Sequence, residues 1–169
     1  GDVEVDEAPA GWTGFDAAWE TTRSTVSCSI VRDRAWVSWR YLEPPDGGYR
    51  VLIARRAGRP CGYAAYRVRD GNGARSATIA EVSTAQGDSA GFRSLVRATL
   101  SRLVEEGVDV VRTLAVPGSV SHAELWGAGF LRSRYSFGVE HVVLDPALAQ
   151  LNLRDPASWQ LTGGDFDVV

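Results

Sequence analysis

The chain has 169 residues, 44% of them hydrophobic and 23% charged, with a formal net charge of −3. That composition suits one ordinary globular domain with a real core, and it lacks the basic balance that draws nucleic acid or an anionic membrane surface. All eighteen basic residues are Arg, which removes Schiff-base and P-loop lysine chemistry from consideration.

The opening GDVEVDEAPA is acidic and reads as a flexible lead-in spanning residues 1–12. Trp12 to Arg23 then sets Phe15, Ala18, Trp19 and Thr22 at helical spacing, with Thr13 or Asp16 near the start as caps. After the β-leaning Val26–Val31, Asp33 is placed to cap a second short helix that carries Trp36, Trp39 and Tyr41 before Pro44-Pro45 stops it. These three aromatics suit either a substrate wall or core anchors.

From Tyr49 the period becomes that of strands. Tyr49–Arg56, the turn Ala57–Pro60, Cys61–Asp70, the turn Gly71-Asn72-Gly73 and Arg75–Ala85 predict a three-strand antiparallel meander. The small-residue turn Gln86–Gly91 leads into an amphipathic helix over Phe92–Glu106, with Leu95, Val96, Leu100 and Leu103 on one stripe and Gly107 as its C-terminal cap. A strand that runs through small residues into a helix N-terminus is a ready anion site, because unpaired N–H groups and the helix dipole both point at the turn. Val108–Val116 is a β-branched run expected to be a strand buried on both faces. Ser121–Ala128 predicts a short helix closed by Gly129, and Leu131–Ser136 with Val139–Leu144 a final hairpin. The segment 146–169 reads as a tail held by Trp159, Leu161 and Phe166.

Other features bound the chemistry. Cys28 and Cys61 have no metal-ligand spacing and read as small buried or half-buried thiols in a reducing, cytoplasmic setting. No apolar run is long enough for a membrane span. Methionine is absent even at position 1, as expected of a processed, tagged or partial chain. Ser121, His122 and Glu124 are close in sequence but would fan around a helix, and His122, His141, Asp165 and Asp167 lack the spacing of a metal site. Arg55, Arg56, Arg59, Arg67 and Arg69 suit either a solvated hairpin or contact with an anion.

Two helices, a meander, a glycine-bearing turn into a long helix, a strand, a short helix ending in Gly129-Phe130 and a last hairpin together resemble the GCN5-related N-acetyltransferase (GNAT) family over residues 13–145. The resemblance implies an α/β (α+β) fold: a mixed, mostly antiparallel central sheet flanked by helices on both faces. It implies acetyl-CoA or another acyl-CoA as cofactor, held by Val82 and by the turn Gln86, Gly87, Asp88, Ser89, Ala90 and Gly91. In the family's [Gln/Arg]-x-x-Gly-x-[Gly/Ala] turn, Gln86 fits the first place and Gly91 the last, while Ser89 stands at the central glycine. Leu125–Phe130 resembles the family's Leu-Tyr-x-x-x-Gly-Phe helix ending, with Leu125 where many members keep an acidic tyrosine; Tyr135 is the candidate substitute. Glu81 stands where several members place a general base, though strand alternation alone would also put a charge on a solvated face there. Trp36, Trp39 and Tyr41 become the candidate walls for a small-molecule amine, in a cleft expected to be acidic. The blocks Val31–Tyr41 and Gly164–Asp167 look like the diverged C-terminal half of two-domain actinobacterial GNAT proteins, so an N-terminal GNAT domain or a second copy is the expected partner. The alternative is a catalytically silent GNAT-fold module that completes a cleft or an interface.

Overall fold

The computed structural model describes residues 2–25, 27–44, 47–71, 73–134, 144–155 and 158–166. Five strands form the main sheet: β1 (Val3–Glu7), β3 (Tyr49–Arg56), β4 (Arg59–Gly71), β5 (Ala74–Thr84) and β6 (Val110–Thr113), in the order β1-β3-β4-β5-β6. All neighbours are antiparallel except β5 and β6, which run parallel. A second, two-strand parallel pair joins β2 (Cys28–Ser29) to β7 (Trp159–Gln160).

Strand alternation sorts the sheet into two cores. Leu52, Ala54, Ala64, Tyr66 and Ile79 face α3 (Ser89–Glu105), whose Leu95 and Leu103 complete that cluster. Val51, Tyr63, Ala65 and Ala80 pack on the other face against Phe15 of α1 (Phe15–Arg23) and Val37 of α2 (Arg34–Val37). Helices therefore cover both faces of a mostly antiparallel sheet, the fold class expected. A further short helix, α4 (Val120–Gly127), packs Leu125 against Phe92 and Val96 of α3.

Local chemistry explains the element ends. Asp33 caps α2 by accepting from the Trp36 N–H at 2.9 Å. The helix then widens into a π-turn over Ser38–Leu42, with the Glu43 N–H reaching the Ser38 carbonyl at 2.9 Å. The β3–β4 hairpin turns on only two residues, Ala57 and Gly58, at φ +50° and +75°, the positive-φ pair of a type I′ turn. It is tighter than the four-residue turn expected. Gly107 (φ +70°) and Gly129 (φ +91°) end α3 and α4 in the left-handed conformation.

Two expectations are corrected, and a third lies outside the described residues. Val3–Glu7 is not a lead-in but an edge strand, because Val3 and Val5 alternate with Glu4 and Asp6 and reach the α3-side core. The Val108–Val116 run yields only the four-residue β6, half-buried or exposed at every position, so it is not sandwiched on both faces. Most of the final hairpin, including Tyr135 and His141, lies outside the described residues.

One irregularity shapes the site. In the β4–β5 ladder Ala65 pairs with Glu81 but Tyr66 pairs with Ile79, leaving Ala80 as an extra, bulged residue. The parallel ladder to β6 ends at the same level, at Ile79↔Thr113, where the Thr113 hydroxyl donates to the Ile79 carbonyl at 2.9 Å. Beyond it, among the described residues, no strand pairs with β5 on that side, and the sheet is open.

Candidate functional site

The opening is a cleft of about 90 Å³. One wall is β5 from Ala80 to Thr84 with the turn to Ser89; the other is Thr113, Leu114, Val116 and the start of α4. The tail closes a third side with Trp159, Gln160, Leu161 and Thr162. The Gln160 amide donates to the Ser83 hydroxyl and accepts from the Ser29 hydroxyl, each at 3.3 Å, which ties the tail to β5.

The turn is organised by Asp88. It is the N-cap of α3: its Oδ1 accepts from the Gly91 N–H at 3.0 Å and from Arg56 Nη2, on the β3–β4 hairpin, at 2.7 Å. Burial pushes the Asp88 carboxyl up, but the Arg56 hydrogen bond and the Gly91 amide outweigh it and hold the group below the usual carboxylate range. The Gln86 amide donates to the Thr25 hydroxyl at 2.9 Å, the Asp88 amide to the Ala85 carbonyl at 3.0 Å, and the Ser89 amide to the Gly87 carbonyl at 2.9 Å. Among the described residues that leaves the amides of Gly87 and Ala90 without a partner. Gly87 alone in the turn carries a positive φ, +87°. Ser89, where the resemblance expects a glycine, has no positive φ and so sits without backbone strain.

Glu81 is neither on a solvated face nor free. Its Oε1 accepts from Arg32 Nε, and its Oε2 accepts from the Tyr41 hydroxyl at 2.6 Å. The side chains of Arg32 and Glu81 have no exposure at all. Arg32 also donates to both oxygens of Asp165 at 2.8 and 2.6 Å, to the Ser29 hydroxyl, and to the Ile30 carbonyl at 2.9 Å. Burial works to lower the Arg32 pKa, but the two carboxylates outweigh it and raise it above the ordinary arginine value. Burial and the neighbouring Glu81 push the Tyr41 hydroxyl far up. For Asp165, burial wins over Arg32 and the carboxyl is raised. Gly164 is pressed so close that a Cβ there would collide with the Tyr41 hydroxyl and lie 3.0 Å from Glu81 Oε2.

Of the three candidate aromatics, Tyr41 is set apart from the Trp36–Trp39 pair. Tyr41 is 1% exposed in the core beside Phe15 and Tyr63. Trp39 is 63% exposed, and half-buried Trp36 lies 5.3 Å from it between ring centroids. None of them lines the cleft. The two carboxylates among its described lining residues, Glu81 and Asp88, each pair with an arginine from outside the lining, and Arg32 is shared between Glu81 and Asp165. Among the hairpin arginines, Arg55 stacks over Trp12 and Arg67 over Tyr49, at 5.7 and 4.6 Å. On α4, Glu124 turns to Arg93 of α3 at 3.4 Å rather than to His122. The residues that sequence reading missed are Arg32, Asp165 and the Arg56–Asp88 pair; only the spacing of Asp88 three residues before Gly91 signalled a cap.

By sequence, no family model and no curated protein matches the chain. By fold it is similar to a ribosomal-protein-alanine N-acetyltransferase from Brucella melitensis biovar Abortus, with TM-score 0.58 and 11% identity over 84% of this chain and 100% of that one. It is also similar to an aminoglycoside acetyltransferase from an uncultured soil metagenomic sample, at TM-score 0.57 and 14% identity over 85% and 97% of the two chains. An integron cassette protein from Vibrio cholerae matches at TM-score 0.60 and 12% identity over 89% and 97%. At such identities the likeness is one of fold: the chain has the mixed α/β fold of the GNAT acetyltransferases.

Proposed function

We propose that the chain is a GNAT-type N-acyltransferase, using acetyl-CoA or another acyl-CoA to acylate a small-molecule amine. The observation that carries this reading is the opening in the sheet, where the Ala80 bulge and the end of the β5–β6 ladder coincide directly above the turn into α3. Two neighbours of the same fold bear names that describe transfer to amines, on an aminoglycoside and on a protein alanine.

The turn leads into the N-terminus of α3, where the backbone N–H groups of Gly87 and Ala90 have no partner among the described residues and would suit a phosphate oxygen. Within the cleft Gln86, Gly87 and Ser89 would hold the group, with Val82 alongside and Ala90 and Gly91 next along the turn. When bound, the cofactor supplies an activated thioester carbonyl. The backbone edge of β5 beyond Ile79, unpaired among the described residues on the β6 side, would offer N–H dipoles to that carbonyl. Close placement of the amine between β5 and the tail supplies most of the rate. Glu81, with both oxygens engaged, holds β5 and the tail in register rather than removing the amine proton, and the amine enters in its neutral form. Tyr135 remains the side chain nominated to protonate the leaving thiolate, since Leu125 is buried between α3 and α4. A cytoplasmic setting accords with the two free thiols.

The test is thiol release from acetyl-CoA in the presence of a panel of amines, with calorimetric titration of the cofactor alone. Saturable release, abolished in Gly91→Trp, is the expected result. No cofactor binding at millimolar concentration refutes the reading. One observation favours a second reading, a silent module that completes the cleft of a partner GNAT domain or second copy: both carboxylates of the cleft are already engaged by arginines.

A further inference from the structure

We propose that the tail segment Trp159–Thr162 is the acceptor wall of the cleft, selecting an amine carried on an aromatic or branched apolar body, and that Arg32 is the residue that positions this wall against β5. This rests on the acyltransferase reading and adds the class of acceptor. All four tail residues line the cleft and are half-buried, so each retains accessible surface there. Their polar side-chain atoms are committed within the protein. The Trp159 indole N–H donates to the Leu153 carbonyl at 2.8 Å, and the Gln160 amide bridges the Ser83 and Ser29 hydroxyls at 3.3 Å each. The Thr162 hydroxyl and N–H both turn to Asp165 Oδ2, at 3.5 and 2.8 Å. What the segment offers a ligand is therefore the indole ring and the Leu161 side chain, and the wall beyond β6 adds Leu114 and Val116. With Glu81 and Asp88 engaged by arginines, burial of the acceptor's apolar body is the interaction that discriminates.

A wall discriminates only if it is held still, and this one is fastened to β5 at two points. Gln160 reaches Ser83. Arg32 spans strand and tail, its Nε on Glu81 Oε1 and its Nη2 on both Asp165 oxygens, at 2.8 and 2.6 Å, and on the Gln160 carbonyl at 3.3 Å. Pairing of Cys28 with Trp159 and of Ser29 with Gln160 adds a backbone tie to β2. Gly164 lets the tail close this tightly, since a Cβ there would strike the Tyr41 hydroxyl. Arg32 itself lies outside the lining, with its side chain fully buried, and acts through the wall. Lysine would keep the charge but not the planar fork that serves both carboxylates at once.

The full chain would be assayed for thiol release from acetyl-CoA with 2-phenylethylamine, isopentylamine and ethanolamine, primary amines that share the reacting group and differ in body. The Leu161 methyl resonances would be followed by NMR as each amine is added without cofactor. The wall predicts kcat/KM about tenfold or more higher for the two apolar amines than for ethanolamine, carried by the amine KM. Leu161→Ala should erase most of that preference with the acetyl-CoA KM unchanged. Arg32→Lys should raise the KM of the apolar amines and again spare that of acetyl-CoA, a split that general destabilisation would not give; if it fails to fold, Asp165→Asn, which weakens the same tie, takes its place. The Leu161 methyls should shift with the apolar amines and not with ethanolamine. Equal use of the three amines, or a preference that survives in a folded Leu161→Ala, overturns the wall and leaves the acyltransferase reading standing. Wild-type KM values in the tie variant overturn the role of Arg32. Selective methyl shifts without thiol release from any amine keep the wall and remove the acyltransferase reading. Neither shift nor release overturns both.

Discussion

Replacing Arg32 with methionine would remove the one cation from a cluster that holds two carboxylates. Methionine has similar length and flexibility, so the change is chiefly one of charge and hydrogen bonding. Glu81 would keep only the Tyr41 hydroxyl, and Asp165 only the Thr162 amide at 2.8 Å and its weaker hydroxyl contact. Breaking a buried pair by removing one partner costs about 3–5 kcal/mol. In a domain of this size each kcal/mol moves the melting temperature by about 2–4 °C, so the expected drop is roughly 6–20 °C. Urea unfolding followed by tryptophan fluorescence, with calorimetric melting alongside, would measure it. The triple variant Arg32→Met, Glu81→Gln, Asp165→Asn, which leaves no bare charge, should recover at least half of the loss. A loss below about 1 kcal/mol in the single variant, or no recovery in the triple, would refute the claim that these three groups act as one buried unit.

Gly164→Ala should destabilise by about 1–3 kcal/mol through overpacking against the Tyr41 hydroxyl and Glu81, and should raise protease sensitivity near residue 160; an unchanged melting temperature would mean the tail can shift aside. Gly62→Ala should cost a similar amount, since its Cβ would meet the Ser83 carbonyl at 2.5 Å inside the sheet; a neutral result in urea unfolding would contradict that register. The folded pKa of Asp88 lies below its unfolded value near 3.8, so its contribution is complete above that pH and is lost as pH falls through the depressed value. The stability gap between wild type and Asp88→Asn, measured by urea unfolding across acid pH, should therefore shrink on acidification, and a gap that widens would reverse the sign. Burial raises the Cys61 thiol, whereas Cys28 is half-buried, so a disulfide reagent at pH 8 should label Cys28 first; faster labelling of Cys61 would show that the strand opens readily.

Sequence legibility followed the range of the interactions. The meander, the start of α2, α3 and the α4 ending could be read because each is dictated locally, by strand or helix period, by the Asp33 cap of α2, and by Gly107 and Gly129. The edge strand β1 was readable in principle from Val3 and Val5 alternating with acids, but acidic composition masked it. Tyr41 looked like a companion of Trp36 and Trp39. The π-turn over Ser38–Leu42 adds a residue to the helical period and turns Tyr41 inward. The turn at Gln86–Gly91 was visible as a helix entry, yet the role of Asp88 depends on Arg56 from another hairpin. The cluster around Glu81 depends on partners 49 residues before it and, through Arg32, on one 133 residues beyond Arg32. No local pattern encodes such a meeting, and strand alternation alone assigned Glu81 to the wrong environment.

That long separation also sets an order of events during synthesis. Asp165 emerges 133 residues after Arg32, which at translation speeds of about 5–20 residues per second is a delay of about 7–27 s. In the last part of it, about 3–12 s after Glu105 completes α3, the meander and α3 can assemble while the guanidinium has Glu81 as its acidic partner and the β2 segment has no β7 to pair with. Ribosome-arrested chains that stop short of Gly163 should therefore be cut readily around residues 28–32, and those that extend past Phe166 should resist. The sheet comes first, and the wall of the cleft is the last part of the molecule to be made permanent.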